Sequence, residues 1–125
     1  MTKKLFIFLN AFFMLLFASA RTQAADKFID GLEDVPVMKG LTQLAKDNIS
    51  FGNEESRLVE AYLTSNRVGF KAVIKFYKDT LPQMGWRCED ESADRLSFRR
   101  EGEMIDIVKE QEKPLMVRIT VKSQN

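Results

Sequence analysis

The 125-residue chain carries 19 basic and 18 acidic residues, a single cysteine and no histidine. So even a balance gives no field to draw in nucleic acid or an anionic membrane, and a lone cysteine permits no internal disulfide. Without histidine, the usual zinc, haem and cysteine-protease constellations lack their imidazoles.

The first two dozen residues read as an address. Lys3 and Lys4 form a charged start, Leu5 to Phe17 an apolar run, and Ala18-Ser19-Ala20 a small-residue cleavage signal. A second acceptable cut follows Thr22-Gln23-Ala24, so residues 1–24 are expected to be a signal peptide, cleaved after Ala20 or Ala24. The alternative is an uncleaved anchor, but Leu5 to Ala20 is 16 residues interrupted by Asn10, against the roughly 20 needed to span a bilayer. No later segment offers a membrane span, and Cys88 is too far from the cut for lipid attachment. Loss of Lys3 and Lys4 leaves 17 basic against 18 acidic residues, so nucleic acid is not an expected partner and the expected location is periplasmic or secreted. What remains, about 100 residues, suits one small domain with one core.

Residues 25–48 are the least regular and are expected to form an irregular N-terminal arm. Phe28, Ile29 and Leu32 suggest one apolar turn, Pro36 extended chain, Gly40 a turn, and Leu41, Leu44 and Ala45 a further helical turn. From Ile49 the period changes to two, with a short strand at Ile49 and Phe51, a turn at Gly52-Asn53 and a second strand over Arg57 to Thr64.

Val68 to Trp86 organises the rest. Phe70, Val73, Tyr77, Leu81 and Met84 recur at three- and four-residue steps, with Ile74 beside them and Lys71, Lys75 and Lys78 opposite. Such a helix lies on a sheet with its lysines in water. Ser65 and Asn66 are candidate N-caps, Pro82 stops the helix near Leu81 or bends it into a last turn, and Gly85 suits the left-handed position past its end. Strands then follow over Trp86 to Glu89, Arg95 to Arg100, Met104 to Lys109 and Leu115 to Val121, joined by short turns that favour hairpins. The expected fold is α+β: an antiparallel sheet of four to five strands over residues 49–123, with one main helix packed on one face.

Four stretches carry a resemblance: Asp34-Val35-Pro36-Val37-Met38-Lys39-Gly40-Leu41, Arg57-Leu58-Val59-Glu60-Ala61, Phe76-Tyr77 with Leu81-Pro82-Gln83-Met84-Gly85-Trp86, and Phe98-Arg99-Arg100-Glu101-Gly102-Glu103. Together they resemble small exported alphaproteobacterial proteins of unknown function that share an F-Y-x-x-x-L-P-x-x-G-W helix-to-strand motif. The resemblance runs over most of the chain beyond the leader and departs from the pattern at Lys39, where such proteins carry a second proline. It implies a helix-on-sheet fold and carries no activity with it.

The chemistry-bearing residues point away from catalysis. Cys88 shares a strand parity with Trp86, so it is expected in the core as a small apolar side chain. The acidic clusters Glu33-Asp34, Glu54-Glu55 and Glu89-Asp90-Glu91 lack calcium-loop spacing and sit in or beside turns, where solvated charge is the default. No catalytic residue, metal ligand or cofactor is assigned. Arg99 and Arg100 are a candidate anion contact, although neighbours in a strand point to opposite faces. Val35, Val37 and Met38 on the arm, with Leu58 and Tyr62 on the second sheet face, are a candidate interaction surface for an envelope protein; the competing expectation is that the arm covers that face. The expected function is therefore that of an exported binding domain of the cell envelope and not of an enzyme. The alternative is a carrier of a small apolar or lipid ligand in a groove between helix and sheet.

Overall fold

The computed structural model describes residues 27–52 and 56–123. The expected signal peptide and the Glu54-Glu55 cluster lie outside the described residues. Among the described residues there are eight strands and one α-helix: β1 (Phe28–Ile29), β2 (Leu32–Pro36), β3 (Thr42–Gly52), β4 (Arg57–Ser65), α1 (Phe70–Thr80), a 3-10 turn (Leu81–Met84), β5 (Arg87–Glu91), β6 (Arg95–Arg100), β7 (Glu103–Gln111) and β8 (Leu115–Ser123).

This corrects the expected fold class. The described chain is mostly sheet, with two antiparallel sheets, one of six strands, and a single short helix. The arm is not irregular: β1 and β2 pair as a small hairpin around Gly31, and β3 takes in Leu41's neighbours from Thr42 onward as an edge strand of the main sheet. The three- and four-residue spacing of Leu41, Leu44 and Ala45 resembles a helical turn, but pairing of Thr42, Gln43 and Leu44 with Thr64, Leu63 and Tyr62 overrides it. Local propensity yields where a neighbouring strand supplies a complete ladder.

The sheet order is β3-β4-β8-β7-β6-β5, every neighbouring pair antiparallel. Alternation of direction makes β4 and β5 parallel with three strands between them, so the β4-α1-β5 connection carries α1 over the sheet. Register then sorts the side chains into rungs. Val59, Val121, Ile105, Phe98 and Cys88 stand side by side on one face, as do Ala61, Ile119, Ile107, Leu96 and Glu91. Apart from Cys88 and Glu91 at the β5 edge, every member of these rungs is buried, against α1's Phe70, Val73 and Tyr77, the 3-10 turn's Leu81, and Ile29, Leu32 and Val35 of the arm. Full burial of a large apolar side chain stabilises by about 1.5–3 kcal/mol.

The helix is left as its sequence dictates, but its entry is a correction: the N-cap is Gly69, with no side-chain cap bond, and neither Ser65 nor Asn66 occupies that position. Ser65 Oγ accepts from the backbone N–H groups of Arg67 and Val68 at 2.9 and 3.1 Å, closing the turn before Gly69 begins α1. At the far end Pro82 converts the helix to a 3-10 turn, and Gly85 takes φ 91°, which only glycine adopts at little cost. Trp86 follows, 1% exposed, its backbone N–H donating to the Leu81 carbonyl at 3.2 Å.

The arm hairpin shares α1's side of the sheet. A Cβ built on Gly31 would stand 3.4 Å from Val59, and the buried Tyr77 hydroxyl donates to the Pro36 carbonyl at 2.7 Å, tying helix to β2. Burial pushes the Tyr77 phenol well above its ordinary range, so it stays a neutral donor. Gln43 Oε1 accepts from the Asp30 N–H at 2.9 Å, joining the hairpin to β3.

Candidate binding cleft

Phe70, Val73 and Tyr77 turn into the core, so the 3.6-residue period brings Lys71, Lys75 and Lys78 to the exposed flank of α1, with Ile74 half-buried between the two rows. The chain leaving the 3-10 turn runs back beside this flank as β5. Between them lies a cleft of about 560 Å³ lined by Lys71, Ile74, Lys75, Lys78, Asp79, Glu91, Ser92 and Ala93. Lys78 Nζ meets Glu91 Oε1 at 2.7 Å across one end, and this hydrogen bond, with the carboxylate's charge, raises the lysine above its usual value. Lys71 and Lys75, toward the other end, pair with no carboxylate among the described residues. The cleft is therefore polarised, neutralised where α1 is pinned to β5 and cationic beyond it, over a floor made by Ile74, Ala93 and the lysine stems.

No family model, curated protein or solved structure matches this chain. The site must be judged on its own chemistry. Among the described residues no group of three or more carboxylate or thiol side chains is placed to hold a metal ion, and no helix is long and apolar enough to cross a membrane.

The sequence-derived candidates are distributed differently. Val35 is fully buried, Val37 and Met38 pack half-buried against the core, and all three belong to the arm on the α1 side. Leu58, 36% exposed, and Tyr62 lie on the opposite face of the sheet. The five residues do not form one surface. Neither do the two arginines combine. Arg100 lies 4.2 Å over the Trp86 ring, donates to the Met84 carbonyl at 3.0 Å and pairs with Asp34 at 2.5 Å, while Arg57 bonds Glu103 at 2.6 Å beside it. This network locks the arm to the helix end and to the β6–β7 turn. Arg99 faces the other way and bonds Glu89 at 2.7 Å.

Cys88 is a second correction: it is exposed. Its parity is that of the core, since it faces Phe98 across the ladder, but β5 is the sheet edge, where the rung ends and the side chain stays exposed.

The open face pairs its charges rung by rung. Arg95 and Ser97 both donate to Asp106 Oδ1, at 2.8 and 2.5 Å. Burial pushes the Asp106 carboxyl upward, yet the Ser97 and Arg95 hydrogen bonds outweigh it and hold the group below its ordinary range. Tyr62 donates to Glu60 at 2.9 Å, and Arg118 reaches Glu110 at 2.7 Å and Glu60 at 4.0 Å. Sequence reasoning offered a groove between helix and sheet for an apolar ligand and missed that the lysine flank lines it. The signal was the Lys71, Lys75, Lys78 spacing, legible as a helix flank but not as the wall of a groove until β5 was placed beside it.

Proposed function

We propose that this chain is a small exported binding domain of the cell envelope whose working surface is the cleft between α1 and β5. One observation carries the reading: Lys71 and Lys75 are exposed, unpaired among the described residues, and set over an apolar floor, whereas the charges of Arg95, Arg99 and Arg118 on the open face already have partners. Cations left without counter-charges beside a concave surface attract an anionic ligand without first breaking an internal pair. Export is supported by the leader-like segment ahead of the domain.

Site-specific photo-crosslinking in cells tests it, with a crosslinking residue at Ala93 in one variant and at Thr120 on the open face in another. Discrete adducts from Ala93, recovered in the periplasmic or secreted fraction, are expected. Adducts from Thr120 alone would move the working surface to the open face, and a cytoplasmic protein would remove the envelope role. The floor of Ile74 and Ala93 favours a second reading, a carrier of a small apolar or lipid ligand. Native mass spectrometry showing a bound small molecule on the purified protein selects it.

A further inference from the structure

We infer that the cleft takes a single-chain anionic amphiphile, a ligand with one negative headgroup and an aliphatic tail; this rests on the cleft being the working surface. Its lining limits what can bind. Among the described residues none that lines the cleft is aromatic, so a nucleobase or other flat ring finds no platform to stack on. None is arginine, so no planar fork grips a headgroup in two places, and the lysines hold it as point charges. Ser92 is the one neutral lining side chain with hydrogen-bonding atoms, too little to hold a sugar. What remains is ammonium charge over aliphatic carbon.

Three lysines and two carboxylates line the cleft, a net of one positive charge, and they are unevenly spread. Lys78 is held by Glu91 at 2.7 Å and Asp79 follows it in α1, so both carboxylates stand at that end and turn an anion away from it. Lys71 and Lys75 make the other end. Four residues of helix separate them, a rise of about 6 Å, so both ammonium groups can converge on one headgroup. Ile74 sits half-buried between Lys71 and Lys78 on the helix, and Ala93 lines the cleft from the turn after β5. A tail leaving the headgroup therefore covers aliphatic surface, the lysine stems included. The cleft's volume of about 560 Å³ falls within the roughly 300–1,000 Å³ of small-molecule sites. A bare anion would leave the apolar floor in water, and an uncharged chain would leave Lys71 and Lys75 unanswered.

The test titrates isotope-labelled protein with decanoate below its micelle concentration, with acetate as a headgroup lacking the tail and decyl maltoside as a tail lacking the charge. The expected result is that decanoate shifts the amides of Ile74, Ser92 and Ala93, that acetate leaves them unmoved, and that decyl maltoside binds about tenfold more weakly or worse. Lys71→Gln with Lys75→Gln should weaken decanoate binding by about tenfold at unchanged melting temperature, and Ala93→Asp, at an exposed turn position, should do the same. Acetate shifting these amides as strongly as decanoate would reduce the site to an anion contact and overturn the inference. Decyl maltoside binding as well as decanoate, decanoate shifts confined to residues outside the cleft, or no binding at all would overturn it too. Discrete Ala93 crosslinks alongside any of those results would keep the cleft as the working surface and remove only the amphiphile.

Discussion

Along β8, Val117, Ile119 and Val121 turn to α1 and the arm and are wholly buried, while Arg118 and Thr120 between them turn to the open face and stay half-exposed. The two faces arise from one alternation, yet they are stabilised differently. The covered face depends on packing of Phe98, Ile105, Ile107 and Trp86, where a lost methylene is felt. The open face carries ion pairs and hydrogen bonds in water, which contribute little individually. Alternation in a strand sorts residues into two sets, but a set becomes core only when another element is laid across it.

The sharpest way to break this comparison is to cut into each face in turn. Phe98→Ala should cost about 3–5 kcal/mol in urea unfolding, and Thr120→Ala less than about 0.5 kcal/mol. Equal losses would mean that the faces are not distinct. Tyr77→Phe separates the contribution of the arm from that of the helix, because it leaves the Pro36 carbonyl without its donor at a cost of about 1–3 kcal/mol. Hydrogen exchange should then show the Val37 N–H, bonded to the Lys27 carbonyl, losing protection while the amides of β7 and β8 keep theirs.

Acid titration sharpens the open face. The Asp106 carboxyl is lower in the folded protein than its ordinary value of 3.8, so its contribution to stability is complete above that value and is lost as pH falls through the lower, folded one. Asp106→Asn should therefore flatten the acid limb of the stability curve and leave the slope near neutral pH unchanged. The smallest expected effect belongs to Leu58→Ser, which should move stability by no more than about 0.5 kcal/mol, read as melting temperature. A large fall would show that the open face is covered in solution.

Periodicity made much of this fold legible. The stripe of Phe70, Val73, Tyr77 and Leu81, the stop at Pro82 and Gly85, and the strict alternation of Leu115 to Val121 all appear where their spacing put them. The arm did not yield to the same reading. Its hairpin is only two and five residues long, too short for a period to show, and β3 mixes apolar and charged residues with no single repeat. Cys88 shows the limit most clearly: parity assigns its face correctly, but exposure depends on β5 being an edge. Of the cleft, one wall was visible as a lysine row; the other, Glu91 to Ala93, was read only as an acidic turn.

By itself, the sequence determined the helix and its C-terminal end, the strands that follow it and the face on which each residue of β8 sits, because these depend on neighbours within a few positions. The tertiary structure decided that β8 pairs with β4, that the arm joins α1 on the covered face, and that Arg100 reaches Asp34. Those choices join residues some forty or more positions apart, where no local period extends and only the packing of the whole sheet selects a partner.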